Sequence, residues 1–231
     1  MLKEIAQIWR KGGLMQDAVE ELAQMVRDAE YVYTHAWEVW KGQAVVDTIE
    51  EPLRERDKLV NRQERAIRRK LVEHLSINPG VDASGCLAVM AMAKDCERIG
   101  DLAKDIFKLA VFMNGNKENL RYYKQLDAIQ ERISQHFPRL HRAIRESSDT
   151  MAHEILNAYD DVKTQCRKLQ DALFEDDLPT REAAITALLI HFFTRINAHI
   201  GNTASGVVFP VENIDYVSRG LREEKEKGSS R

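Results

Sequence analysis

The feature that narrows this chain most is a three-and-four spacing of apolar residues that runs through nearly all of it. After the Gly12-Gly13 break, Val19, Leu22, Val26, Ala29, Val32, Ala36 and Val39 follow that rhythm. A helix of 3.6 residues per turn gathers such a set on one face, so a first long helix is expected, ending near Lys41. A second is expected from the mid-40s to about Leu75, with Pro52 either kinking it or marking its first turn. Asn78-Pro79-Gly80 then reads as a turn. Asp82 or Ser84 can cap a third helix that ends near Asn114-Gly115-Asn116, residues that tolerate the left-handed backbone of a C-terminal cap.

The plan then recurs. A fourth helix is expected over roughly Glu118 to Arg145, bent at Pro138. Ser147 or Ser148 can cap a fifth that reaches about Phe174. After the turn Glu175-Asp176-Asp177-Leu178-Pro179, a sixth starts at Thr180 and ends before Pro210. With 11 Gly and 5 Pro in 231 residues, there is too little turn chemistry for many short strands. The expected fold is therefore all-α: two tandem three-helix bundles, six long helices in one elongated domain. The first unit spans 1–116 with a short N-terminal helix, the second 117–217, and 218–231 is a flexible charged tail.

A shift of 97 residues supports the repeat, laying Arg98-Ile99 on Arg195-Ile196 and Val111-Phe112 on Val208-Phe209. In the third helix Met92, Cys96, Ile99, Ala103, Ile106, Ala110 and Met113 form the seam of an antiparallel bundle, and the small Ala103 and Ala110 let a neighbour approach. Trp9, Trp37 and Trp40 read as packing anchors.

Several classes of function are disfavoured. A net charge of −3 gives no basic excess for phosphodiester backbones, so nucleic acid is not an expected partner. Cys86, Cys96 and Cys166 have no CxxC spacing, and a reduced, cytoplasmic setting is expected. The opening residues MLKEIAQIWRKGG have no continuous apolar stretch, so they are not expected to act as a secretory signal. The longest apolar stretch, Ala183–Phe193, is interrupted by Thr186 and His191, so no membrane span is expected. Phosphate-loop, dinucleotide, HExxH and GxSxG motifs are absent, as are Glu-x-x-His pairs, and no enzymatic activity is expected.

The segment that points to chemistry is Asp95-Cys96-Glu97-Arg98-Ile99-Gly100-Asp101. Glu97 and Asp101, one turn apart, share a helical face. With Ile99 marking the core, both carboxylates project to the accessible side, and Gly100 suggests close approach of backbone or ligand. Paired carboxylates repel unless a cation lies between them, which makes a hard-cation site physically sensible. Spacing alone favours a plainer reading: such pairs are common on solvated helices, and Lys94, Arg98 and Lys104 lie near enough to neutralise them. In the second copy Thr194 and Ala198 stand where the acids would be. His191 and His199 lie roughly on one face around Arg195, whose charge opposes a cation there, and Asp160-Asp161 reads as a solvated pair. Asp95 falls beside the Ile99 stripe, which calls for a bundle end, a buried basic partner or a wider buried seam.

The run AKDCERIGDLAKD, Ala93–Asp105, resembles the signature of the PhoU family, an E/D-x-x-x-D motif inside an ERIGD-type sequence. That resemblance implies two three-helix bundles in tandem and a surface metal cluster involving Glu97 and Asp101. The preceding helix would add Asp57, Asn61 and Glu64, and the metal would be a divalent or trivalent ion such as iron, manganese or magnesium. It further implies a cytoplasmic regulator of phosphate uptake and signalling that contacts a phosphate transporter and a sensor kinase at the membrane face. A homodimer is compatible with it. Two alternatives stay open: a metal-independent helical scaffold, and a carboxylate metalloenzyme with acids converging from several helices.

Overall fold

The structure, a computed structural model, describes residues 13–113 and 117–217. The expected N-terminal helix, Trp9, the 114–116 cap and the tail from 218 lie outside the described residues. Among the described residues there are seven α-helices and no strand. Helix α1 is Leu14–Trp40, α2 Val46–Ile77 and α3 Ala83–Phe112. They are followed by α4, Tyr123–Ser134, α5, His136–Glu146, α6, Asp149–Glu175, and α7, Thr180–Val208. Short 3-10 turns occupy Lys117–Asn119 and Val211–Asn213.

The apolar rhythm of α1 is its buried face: Val19, Leu22, Val26, Ala29, Val32, Ala36 and Val39 all lie in the core. Pro52 sits inside α2 rather than in its first turn, where it cannot donate to the carbonyl of Thr48. The fourth predicted helix is two segments. Lys117–Asn119 is a 3-10 turn, α4 begins only at Tyr123, and the break falls at Gln135 rather than at Pro138. The displacement has a simple cause: Pro138 has no N–H for the carbonyl of Ser134, four residues back, and its ring crowds that carbonyl.

The caps divide by residue. Ser148 caps α6, its hydroxyl accepting from the Met151 amide at 3.4 Å, while Ser147 adopts a left-handed conformation that ends α5. Asp82 stands at the N-cap of α3 with its carbonyl accepting from the Cys86 amide at 2.9 Å but without a side-chain cap; its carboxylate faces His74 Nε2 at 3.3 Å.

Helix α3 is the structural axis, packed against α1, α2 and α7. The seam from Met92 to Ala110 is buried, and so are Ala88, Val89, Ala93, Asp95, Glu97, Gly100 and Phe107, because three neighbours cover a wider arc than one bundle seam. The two units share one core. The ring of Tyr33 on α1 lies 5.4 Å from Phe137 on α5 and 6.5 Å from Phe193 on α7, and Trp37 lies 5.4 Å from Phe193. Trp37 and Trp40 stack at 5.6 Å, both buried, as packing anchors should be.

Helix α7 is long and apolar enough to cross a membrane by length and composition alone, with a mean hydropathy of 1.3 over its most apolar window. In the bundle its Leu189, Phe193, Ile196, Ile200 and Ala204 are core residues.

A candidate ion-pair ladder between α2 and α3

The two antiparallel helices bring all five predicted site residues to one seam. Asp57, Asn61 and Glu64 follow one another at four and three along α2, and Glu97 and Asp101 lie at four on α3. Lys94 bridges the two helices at one level, its Nζ 2.8 Å from Glu97 and 3.7 Å from Glu64. Lys104 does the same one level on, donating to Asp57 at 2.8 Å and to Asp101 at 3.1 Å. Arg68 adds a bond to Glu64 at 2.5 Å, and Arg98 approaches Glu97 at 3.9 Å. Asn61 turns its side chain back onto the Asp57 carbonyl at 3.0 Å.

Glu97 does not project to an accessible side. It is 8% exposed, lying in the seam beneath Lys94, whereas Asp101 is partly open. The reason is α2, which covers the flank of α3 that a single-seam reading leaves to solvent. Gly100 does not create a close approach either: a methyl group there would meet only Val60, at an ordinary 3.6 Å. The tight glycines are on α7. A Cβ at Gly206 would come within 2.6 Å of Met92 on α3, and one at Gly201 within 2.9 Å of Tyr159.

Carboxylate oxygens are the donor type that a hard cation takes. As arranged, however, four carboxylates face four side-chain cations, and among the described residues no three His, Cys, Asp or Glu side chains converge as a metal-holding group. The ladder is neutral by itself. Burial is the largest single influence on Lys104 and opposes its charge, but Asp57 and Asp101 together outweigh it and raise its pKa.

A second polar cluster links α3 to α7. His199 Nδ1 lies 2.6 Å from Asp95 Oδ1, and Asn202 donates to the same oxygen at 3.4 Å. The buried basic partner expected for Asp95 is thus His199. His191 is exposed and rests against the Phe192 ring, so the two histidines occupy different surroundings and do not form a pair. Asp160 and Asp161 are both exposed. Thr194 bonds back to the Ile190 carbonyl at 2.8 Å.

One polar residue carries structural weight that its sequence context does not reveal. Asp28, in the apolar face of α1, is 1% exposed and accepts from Arg56 at 2.5 Å and Gln63 at 2.7 Å, both on α2. Burial pushes the Cys86 thiol up to about 11 and raises those of Cys96 and Cys166, leaving all three as protonated core groups.

Fold and site together define an all-α tandem-bundle protein with a ladder of ion pairs between two of its helices, of which Arg98, Asp101 and Lys104 also line a cavity of about 670 Å³. Comparison with known proteins makes this more specific. Residues 14–110, nearly all of α1 to α3, match the PhoU domain. The fold matches that of the phosphate transport system regulatory protein PhoU from Streptococcus pneumoniae, with a TM-score of 0.69 at 17% identity, covering 86% of this chain and 93% of that one. PhoU from Pseudomonas aeruginosa matches with a TM-score of 0.65 at 20% identity, covering 94% of this chain and 98% of that one. No curated protein sequence matches. Residues 14–110 thus carry a PhoU-domain match, and the chain shares the PhoU fold across both units.

Proposed function

We propose that this protein regulates phosphate transport by binding other proteins and not by catalysis. The observation that carries the reading is the PhoU domain match, which contains the whole α2/α3 ladder; similarity to proteins named for phosphate transport regulation supports it. The partners would be a phosphate transporter and a sensor kinase at the cytoplasmic membrane face.

A surface suited to such contacts lies on α2. Arg62, Arg65 and Arg69 are exposed on one stripe, and none has an ion-pair partner among the described residues. Their charge favours an acidic partner surface, and the rigid helix pair beneath holds their spacing. The test is an Arg62→Glu/Arg65→Glu/Arg69→Glu variant in cells that lack the protein. Wild type should restrain phosphate uptake and co-purify with the transporter, and the folded variant should do neither. Equal uptake with and without the wild-type protein would sink the reading.

Metal binding at Glu97 and Asp101, with Asp57, Asn61 and Glu64 as further donors, is a separate part of this proposal. Iron, manganese or magnesium would have to displace Lys94 and Lys104 from the carboxylates. Metal analysis of the purified protein beside a Glu97→Ala/Asp101→Ala variant decides it. Metal held by the first and lost by the second supports the site. Metal in neither, after incubation with all three ions, favours the second reading, a metal-independent scaffold in which lysine ammonium groups neutralise the acids. The completed ladder is the observation on the scaffold's side.

A further inference from the structure

A groove of about 410 Å³ runs between α4 and α6, apart from the ladder. The buried side chains of Ile129 and Leu169 form its floor, and the exposed alanines Ala128 and Ala172 stand in its walls. Larger side chains at those two positions would reach into the gap, so it is their small size that leaves the apolar floor open. Tyr122, at the N-cap of α4, closes one end, its hydroxyl 3.2 Å from the Ala172 carbonyl and 2.8 Å from the Asp176 carboxylate. Arg132 stands toward the other end, about 15 Å farther along the helix.

The second property of the groove is its charge. Arg132 and Lys168 both line it, both are exposed, and neither has an ion-pair partner among the described residues. Acids lie near the groove but not in it. Asp176 is taken up by Arg121, at 2.7 Å. Glu131 and Asp171, close in sequence to the two cations, are exposed, line no part of the groove and pair with neither cation.

We propose that this groove binds a linear amphiphile with an acidic head, of the class of a medium-chain fatty acid. The alkyl chain lies along Ile129 and Leu169, and the carboxylate is taken by Arg132 and Lys168. Covering the apolar floor supplies the drive for binding. The Arg132 guanidinium offers a carboxylate a two-pronged bond, and the ammonium on the flexible Lys168 stem adds a second charge. The volume falls in the range that seats a small organic ligand. A partner helix does not fit inside it: at about 10 Å across with its side chains, a 15 Å length would fill roughly 1,200 Å³.

The test uses the full-length protein with decanoate and decanol as probes, following the methyl signals of Ile129 and Leu169 by NMR. Decanoate should shift both saturably, and decanol, with the same chain but no charge, should bind about tenfold or more weakly. The Arg132→Gln/Lys168→Gln variant should bring decanoate down to the affinity of decanol. Ala172→Phe, at an exposed position, should fill the groove and abolish binding, and a thermal melt equal to wild type shows that the fold is kept. The proposal fails if millimolar decanoate leaves both sets of methyl signals unmoved, or if decanol binds as tightly as decanoate. Binding that survives Ala172→Phe in the folded variant also overturns it, because the ligand then lies elsewhere.

Discussion

The Nδ1 of His199 on α7 lies 2.6 Å from Oδ1 of Asp95 on α3, both side chains being buried. An imidazole N–H donating to a carboxylate at that distance joins the two units at the helix that carries the family signature. Asp95→Leu is expected to destabilise the protein by about 3 kcal/mol, since it strands His199 and Asn202 in a closed interface. Asp95→Asn keeps an acceptor and should lose less. Urea unfolding of both variants checks this; equal stability of Asp95→Leu and wild type would contradict it.

Asp215 titrates against the same cluster. Burial and the nearby Asp95 raise its carboxyl above the usual range. A raised carboxyl pKa means that the folded state holds its proton more tightly. The stability it contributes is present below the unfolded pKa and is lost as pH rises through the folded value. Asp215→Asn removes that loss. The variant should melt higher than wild type at neutral pH, and the difference should shrink as pH falls below the carboxylate range. Asparagine also tolerates the left-handed backbone found there, with φ at 73°.

The glycines of α3 and α7 should respond in opposite ways. Gly100→Ala meets only Val60 at 3.6 Å and gains helix propensity, so it should stabilise by up to about 1 kcal/mol. Gly206→Ala drives a methyl to within 2.6 Å of Met92 in the α3–α7 contact and should destabilise by about 1–3 kcal/mol unless Met92 swings away. Thermal melts of the pair, with Met92→Ala as a rescue background for Gly206→Ala, give the answer.

Asp28 is expected to be among the costliest single positions. Asp28→Ala leaves Gln63 and part of the Arg56 guanidinium without an acceptor at the α1–α2 contact, for a loss of about 3 kcal/mol. Asp28→Asn retains the Gln63 contact and should recover part of it. Equilibrium unfolding of the two variants measures the gap.

Part of the candidate site was legible from residue types. The ERIGD run singles out Glu97 and Asp101, and the pairing of these acids with Lys94, Arg98 and Lys104 follows from helical neighbourhood. The burial of Glu97 was not legible, because spacing along α3 says nothing of α2, whose turns close over that flank. Asp28 escaped for a related reason: a lone acid in an apolar face has meaning only when the residues opposite it are known.

What the chain determined locally is the helical architecture. The three-and-four rhythm, the turn residues and the serine cap act within a few residues, so they place α1, α2, α3, α6 and α7 to within a turn. Which faces become interior is a different matter. Helix α3 is enclosed on three sides and Tyr33 reaches Phe137 and Phe193 across units only after distant segments have packed. Burial, the partner of each charge and the closeness of Gly206 to Met92 depend on contacts between residues far apart in sequence, and only the tertiary structure decides them.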